Sequence, residues 1–289
     1  MEPESSTWHT VSRGTELGGR VVRCIAVVNQ KGGVGKTTTA LNLSASLAVA
    51  ERPTLLVDLD PQGNATTGLG IDRAGLAPPT LYQVLLEGEP AGRAVVGTSL
   101  PTLHLLPADH DLIGAEVELV GATGRERRLR EALEGLGEAY GFVVIDCPPS
   151  LGLLTVNALV AAHGALIPLQ CEYFALEGLA QLMRTLHLVR ERLNAGLEVE
   201  GIVLTMYDGR TSLAAQVRAE VERHFDRLLF RTVIPRNVRM SEAPSHGRPV
   251  VQYDIRSPGA LAYLELAREV IAHDQAGAGE RARRAPAAG

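Results

Sequence analysis

A glycine-rich loop between an apolar run and a helical pattern constrains the fold of this chain more than any other feature. The apolar run Val21–Asn29 leads into Gln-Lys-Gly-Gly-Val-Gly-Lys-Thr-Thr at residues 30–38, and the helical pattern covers Thr37–Ala50. Glycines allow backbone N–H groups to turn inward around an anion, and the N-terminus of a following helix adds a favourable dipole. The segment therefore predicts a strand, a phosphate-binding loop and a helix.

The loop also holds both lysines of the 289-residue chain, Lys31 and Lys36, among 28 lysine and arginine residues in all. Lysine is a compact point charge and arginine a wide planar fork, so we interpret the loop as requiring ammonium groups. An ordinary phosphate loop has a glycine at the position of Gln30, and here Lys31 and the glycine pair after it stand in its place. We expect Lys36 to reach the β- and γ-phosphates of a nucleotide and the Thr37 hydroxyl to bind Mg²⁺. The predicted nucleotide-binding loop residues are Lys31, Gly32, Gly33, Val34, Gly35, Lys36, Thr37 and Thr38.

Strand-like apolar runs and helical patterns alternate through the rest of the chain. Further strands are predicted at Thr54–Asp58, Leu103–Leu106, Phe142–Asp146, Ala165–Leu169, Gly201–Met206 and Leu229–Ile234. Further helices are predicted at Arg125–Tyr140, Leu153–Ala162, Leu176–Leu193, Leu213–Phe225 and Pro258–His273. Most strand runs lack apolar–polar alternation, which is typical of strands buried on both faces. The sequence therefore predicts an α/β fold with a mostly parallel, twisted sheet and helices on both faces.

The two ends of the chain differ in composition from the part between them. Residues 1–20 are polar without periodicity and are predicted to form a flexible arm, and residues 275–289 are rich in Gly, Ala and Arg and are predicted to form a disordered tail. Residues 21–274 are predicted to form a single domain. No run reaches 18 uninterrupted apolar residues and the N-terminus lacks an apolar signal core, so we expect a cytoplasmic protein with no membrane partner.

Two further strands end in aspartates that point to metal-assisted chemistry. Asp58 and Asp60 follow one another at alternate positions, and a carboxylate in a buried strand is costly unless it is solvated or bound. Asp60, at the carboxyl end, would lie near the phosphates if this strand neighbours the first, and it is expected to hold Mg²⁺ or to position an attacking water. Asp146 ends an apolar strand in the Walker B form, in which the carboxylate reaches Mg²⁺ through water. The alternative for each aspartate is that it caps the turn that follows.

Three stretches together resemble the deviant Walker A ATPases: KGGVGKTT, DLDPQGN and VVIDCPPS. Two more, residues 205–211 and 234–245, resemble the ParA/Soj chromosome-partitioning subfamily. The likeness extends from about Val21 to about His273. The resemblance implies a P-loop ATPase of the deviant Walker A type, with ATP and Mg²⁺ as cofactors.

The resemblance also implies roles for single residues. Lys31 would reach across a nucleotide-sandwich dimer to the phosphates of the partner chain. Lys36 would contact the β- and γ-phosphates of its own nucleotide, and Thr37 would ligate Mg²⁺. Asp60 would orient the hydrolytic water, and Asp146 would be the Walker B aspartate. The expected catalytic residues are therefore Lys31, Lys36 and Asp60.

Two further groups of residues follow from the resemblance, one for adenine and one for DNA. The adenine candidates are Met206, Pro235 and Asn237, and the DNA candidates are Arg210, Arg236 and Arg239. The formal net charge of −5 argues weakly against a nucleic-acid partner. However, residues 210–256 hold nine arginines and five acidic residues, and a dimer would present that excess twice. The alternative is that these arginines form a solvated helix face.

The function that the resemblance implies is a slow Mg²⁺-dependent ATPase switch for chromosome or plasmid partitioning. ATP would close a homodimer that binds DNA without sequence preference, and hydrolysis would release the DNA. A ParB-like centromere-binding protein would stimulate the hydrolysis. The protein would then be cytoplasmic and associated with the nucleoid.

Other classes of protein share the nucleotide motifs. A MinD-like ATPase that cycles on membranes and positions division would need a C-terminal amphipathic helix with bulky apolar residues, whereas this tail offers Gly, Ala and Arg. An iron–sulfur or metal carrier would need paired cysteines, and the three here are far apart. A GTPase would need an NKxD motif, which the sequence lacks. The MinD-like ATPase is the main alternative.

Overall fold

A computed structural model of the chain describes residues 22–136 and 139–284, without the side chains of residues 277–284. The strands are β1 Arg23–Val27, β2 Thr54–Asp58, β3 Val96–Gly97, β4 Leu103–Leu106, β5 Phe142–Asp146, β6 Gly164–Gln170, β7 Glu198–Tyr207 and β8 Leu229–Pro235. The α-helices are α1 Lys36–Val49, α2 Asn64–Gly68, α3 Leu81–Leu86, α4 Ala91–Ala94, α5 Leu112–Glu118, α6 Arg128–Glu134, α7 Leu153–Ala161, α8 Ala175–Arg192, α9 Ser212–Phe225, α10 Val238–Glu242, α11 Val250–Tyr253 and α12 Pro258–Arg284. The predicted arm at residues 1–20 lies outside the described residues.

The strands form one eight-stranded sheet in the order β3-β4-β2-β5-β1-β6-β7-β8. The short strand β3 is antiparallel to β4, and the other pairings are parallel, so the predicted fold class is confirmed. The sequence interpretation placed Asp60 near the phosphates on the condition that β2 borders β1. In the structure β5 lies between these two strands, and it brings Asp146 between the glycine-rich loop and the loop after β2.

The sheet is buried on both faces, as the apolar strand runs predict. Along β1, Cys24 and Ala26 join an apolar cluster with residues of α3 and α5–α9, whereas Ile25 and Val27 join a second cluster with α1, α11 and α12. Successive side chains of a strand point to opposite faces, so a continuous apolar run fills both layers. This burial fixes the strand ends, and the loops that follow them meet at the carboxyl edge of the sheet.

The last helix, α12, is longer than the sequence predicts. It begins at Pro258, as expected, and the Ser257 hydroxyl accepts the N–H of Ala260 at 3.3 Å. It continues beyond the predicted end at His273 to Arg284: Ala, Gln, Glu and Arg in this stretch favour helix, Gly277 and Gly279 oppose it, and no proline occurs before Pro286. The expected disordered tail is therefore helical as far as Arg284, and residues 285–289 lie outside the described part. In the described ranges, no helix is both long and apolar enough for a membrane crossing.

Candidate nucleotide site

A cavity of about 540 Å³ opens at the carboxyl edge of the sheet, where the glycine-rich loop meets the ends of β2, β7 and β8. Cavities of this size commonly hold small-molecule ligands and cofactors. The predicted site residues that line it are Gly32, Gly33, Gly35, Lys36, Thr37, Thr38, Asp60, Met206, Arg236 and Asn237. The structure therefore brings together most of the residues that the sequence assigned to nucleotide binding, from separate parts of the chain.

The glycine-rich loop has the backbone shape that an anion cradle requires. Gly33 and Gly35 have φ angles of 75° and 86°, in the left-handed region that favours glycine. A Cβ atom added at Gly32 or Gly33 would meet nothing within 4 Å, so the space beside them is open to a ligand. The Val34 side chain is buried instead, and its carbonyl accepts the Thr205 hydroxyl at 2.8 Å. Thr205, which sequence reasoning missed, therefore ties the loop to β7.

Lys36 supplies a buried positive charge at the floor of the cavity. Its side chain is largely buried, and its ammonium group donates to the carbonyl of Lys31 at 3.1 Å across the loop. Burial lowers the pKa of Lys36, and the carboxylates of Asp146 and Asp60 oppose that shift. An ammonium in this position is directed to the space that the loop encloses, where phosphate oxygens would be stabilised.

Asp146 is a buried carboxylate with few hydrogen-bond donors around it. Neither of its oxygens has a hydrogen bond of good geometry. Burial raises the pKa of Asp146 well above its usual value, the adjacent Asp58 adds to the shift, and the nearby Thr37 hydroxyl and Lys36 ammonium oppose it. A buried anionic acceptor without donors is costly unless a cation or bound water reaches it.

These residues fit a hydrated Mg²⁺ ion held together with phosphates. Within the described ranges, no group of three or more His, Cys, Asp or Glu side chains is arranged to hold a metal ion. Mg²⁺ usually keeps several waters and is held by one or two side-chain ligands plus substrate phosphates, so a site without a full protein cage is the expected form. The unpartnered oxygens of Asp146 and the Thr37 hydroxyl beside it would hold such an ion.

The two aspartates at the end of β2 have different surroundings. One oxygen of Asp58 accepts both the N–H and the hydroxyl of Thr66, each at 2.7 Å, so Asp58 binds the first turn of α2. Asp60 lines the cavity, and one of its oxygens accepts the N–H of Gln62 at 3.0 Å. Asp60 thus remains directed to the site while Asp58 supports the loop beside it.

The far end of the cavity differs in part from the predicted adenine site. Met206 and Asn237 line it, whereas Pro235 is not among the lining residues. Met206 has a φ angle of 49°, a strained conformation for a side chain of this kind, and the buried Oδ1 of Asn237 has no hydrogen-bond partner. Tyr263 of α12 also lines the cavity, and its hydroxyl pairs with Thr39 of α1 at 3.1 Å. Sequence reasoning missed Tyr263 because it lies in an ordinary apolar helix pattern.

Relatives of known identity match this architecture along most of the chain. The family model described as an AAA domain matches residues 22–199. The chromosome partitioning protein ParA of Myxococcus xanthus is 54% identical over 273 residues, which cover 92% of this chain and 96% of that protein. The sporulation initiation inhibitor protein Soj of Bacillus subtilis is 53% identical over 251 residues, covering 87% and 99%. The chain belongs to the ParA/Soj family of chromosome-partitioning ATPases. The predicted family and enzyme class are therefore confirmed.

Solved structures share the fold of this ParA/Soj family member. Cobyrinic acid a,c-diamide synthase of Mycobacterium smegmatis, with bound ADP and magnesium, is 40% identical with a TM-score of 0.78, and the match covers 89% of this chain and 97% of that chain. The cell division ATPase MinD of Pyrococcus furiosus is 29% identical with a TM-score of 0.71, covering 88% and 100%. The predicted P-loop ATPase fold is thus shared with proteins that have different named functions.

The first lysine of the loop lies away from the cavity of its own chain. Lys31 does not line the cavity, and its half-exposed ammonium forms an ion pair with the half-exposed carboxylate of Glu172. The next two residues, Tyr173 and Phe174, are exposed aromatic side chains packed edge to face at 5.0 Å between ring centroids. Sequence reasoning missed Glu172, because it lies 141 positions away in the chain.

The three arginines assigned to DNA binding have different surroundings. Arg210 pairs with Asp208 at 2.6 Å, and Arg239 pairs with Glu242 at 2.8 Å. Arg236 lines the cavity and forms no ion pair with the residues that the structure describes. Their side chains are exposed, but the guanidinium groups of Arg210 and Arg239 are already occupied by carboxylates.

Proposed function

We propose that this ParA/Soj family member is an ATP-driven switch that binds DNA as a dimer. ATP and Mg²⁺ are its cofactors. ATP joins two chains face to face, the dimer binds DNA without sequence preference, and hydrolysis separates the chains and releases the DNA. A ParB-like partner stimulates hydrolysis, and the protein resides on the nucleoid in the ATP state. The observation that supports this proposal most directly is that Lys36 lines the nucleotide cavity whereas Lys31 does not.

Each chain contains an incomplete set of charges for the reaction. Lys36 is buried at the cavity floor, whereas Lys31 is outside the cavity and pairs with Glu172 at the surface. A pair of half-exposed ions contributes little to stability, so Lys31 can exchange Glu172 for another anion at small cost. We infer that this anion is the nucleotide of the second chain. ATP binding and dimer formation are then coupled, since each nucleotide needs a lysine from the other chain.

Within one chain, the residues at the cavity have separate roles in hydrolysis. The glycine-rich loop and Lys36 hold the phosphates and stabilise the negative charge that develops on them. Bound Mg²⁺ would supply further charge stabilisation, held by Thr37 and, through water, by Asp146. Asp60 faces the same cavity and orients the attacking water. Exclusion of bulk water by the second chain would strengthen each of these interactions.

The dimer also accounts for DNA binding by an acidic protein. The excess of arginine at residues 210–256 lies in a chain of net charge −5. Several of these arginines are paired with neighbouring carboxylates, so one chain offers few free cations. Two linked surfaces bind DNA much more tightly than either alone, since the second contact becomes intramolecular. DNA affinity then follows the nucleotide state.

Binding of the Asp60→Ala variant to random-sequence DNA tests this proposal. We expect strong, salt-sensitive binding with Mg²⁺-ATP, none with ADP, and no ATP hydrolysis. Asp111→Ala, which removes an exposed carboxylate, is the matched control and should hydrolyse ATP at the parent rate. If Asp60→Ala forms the ATP dimer but binds anionic liposomes and not DNA, the result would favour the MinD-like alternative over this proposal. Hydrolysis of ATP by Asp60→Ala at the parent rate would contradict the water-orienting role of Asp60.

A further inference from the structure

The guanidinium group of Arg73 contacts the loop that carries Asp60. Its Nη1 donates to the carbonyl of Gln62 at 2.7 Å, and its Nη2 donates to the carbonyl of Pro61 at 2.7 Å. The same group donates to the carbonyl of Asp109 at 2.8 Å and, through Nε, to that of Ala108 at 3.2 Å. All four acceptors are neutral backbone carbonyls, two in each of two separate segments.

The first segment immediately follows Asp60. The N–H of Gln62 donates to the Asp60 carboxylate, while the carbonyl of Gln62 accepts from Arg73, so the peptide units around Gln62 connect these two side chains. Gly63 is left-handed, with a φ angle of 67°, and a Cβ atom there would lie 2.5 Å from Nε of Arg73. The loop is thus in direct contact with the guanidinium plane, and the glycine permits that approach.

The second segment is part of the fixed framework. Asp109 accepts the N–H of Tyr82 in α3 at 2.9 Å and the N–H of Leu112 in α5 at 2.8 Å. The N–H of Ala108 donates to the hydroxyl of Thr66, the residue that also binds Asp58. The segment that anchors Arg73 is therefore tied to α3 and α5 through Asp109 and to α2 through Thr66.

We propose that Arg73 is a positioning residue for Asp60. Its planar, five-donor group spans from the framework at Ala108 and Asp109 to the loop at Pro61 and Gln62, and it thereby fixes the direction of the Asp60 carboxylate. An error of about 1 Å in such a position is enough to slow a reaction by about 100-fold. This inference rests on the proposed role of Asp60, and it adds a residue outside the cavity lining to the hydrolytic apparatus.

Arg73→Ala tests the inference through the rate of hydrolysis. We expect the kcat for ATP to fall by about 10- to 100-fold, while the affinity for ATP and the ATP-dependent dimer stay unchanged. Arg73→Lys should keep an intermediate kcat, because an ammonium can reach some of the four carbonyls but not all. Arg93→Ala, which removes an exposed arginine paired with Glu89, is the matched control and should leave kcat unchanged.

Rescue by added methylguanidinium separates positioning from a general loss of structure. Millimolar methylguanidinium should restore hydrolysis to Arg73→Ala, relative to sodium chloride of equal ionic strength, and should restore nothing to the double variant with Asp60→Ala. The inference is overturned if Arg73→Ala keeps the parent kcat. It is also overturned if the loss of rate follows a lower Tm and methylguanidinium does not reverse it. A parent protein without ATP hydrolysis would instead contradict the proposed function.

Discussion

Asp58 and Asp146 lie opposite each other on the neighbouring parallel strands β2 and β5, and both carboxyl groups are buried. Desolvation raises the pKa of each residue, the negative charge of Asp58 raises the pKa of Asp146 further, and the charge of Asp60 adds to the shift of Asp58. The nucleotide-free protein therefore carries two neighbouring destabilised carboxyl groups, of which Asp58 binds Thr66 and Asp146 has unpartnered oxygens. A cation bound at Asp146 would relieve part of this destabilisation.

The stability of the nucleotide-free, Mg²⁺-free protein should fall as the pH rises. Burial raises the pKa of Asp58 from 3.8 to about 6, so the folded protein binds more protons than the unfolded chain between these values. The contribution of Asp58 to the free energy of unfolding is complete below its pKa in the unfolded chain. It is lost as the pH rises through the pKa of Asp58 in the folded protein, and the full change is about 3 kcal/mol. Urea unfolding at pH 5 and pH 7.5 covers the upper part of this range, in which a loss of about 1.4 kcal/mol is expected.

Asp58→Asn supplies the control for that pH dependence. An amide oxygen can still accept both donors of Thr66, and the variant removes one negative charge beside Asp146. We expect Asp58→Asn to be more stable than the parent at pH 7.5 and to show a flatter pH profile. Asp111→Asn, at an exposed position, should retain the parent profile. An identical pH slope in Asp58→Asn and the parent would contradict the assignment.

Replacement of Lys36 and replacement of Lys31 should have different effects on nucleotide binding by the single chain. Lys36→Ala should weaken ATP and ADP binding by the single chain by about 10- to 100-fold, since a charge-assisted contact contributes about 1.5–3 kcal/mol. ATP-dependent dimers should then be absent. Lys31→Ala should bind ADP as the parent does but form no stable ATP dimer, because Lys31 lies outside its own cavity. Equilibrium nucleotide binding and light scattering separate the two outcomes, and an ATP dimer of parent strength in either variant would refute its role.

Arg236 should contribute more to DNA binding than Arg239. Arg236 has no ion pair among the described residues, whereas Arg239 pairs with Glu242 and, at 3.5 Å, with Asp254. A dimer has two copies of Arg236, so Arg236→Ala should reduce the slope of log affinity against log salt by about 1.8. Arg239→Ala is the matched variant and should change the slope less. The comparison is made after each variant is shown to form the ATP dimer, and equal slopes in both would argue against this ranking.

Much of the site could be predicted from the sequence because its chemistry is local. The spacing of Gly33 and Gly35 before a helix fixes the shape of the loop within a few residues, and the only two lysines lie in that loop. The apolar runs that end in Asp58 and Asp146 predicted strands with the observed bounds. Local backbone geometry and side-chain chemistry were sufficient for the fold class, the anion-binding loop and the candidate ligands.

The tertiary structure decided which distant residues meet. The sequence does not state that β5 separates β1 from β2, so it left open whether Asp58 caps a helix or serves the site. It also gave no sign that Arg73 holds the Asp60 loop or that Glu172 pairs with Lys31. These contacts join residues that are far apart in the chain, and only the order and register of the strands place them together. Local pattern thus determined which groups are available, and the packing of the sheet determined how each one is used.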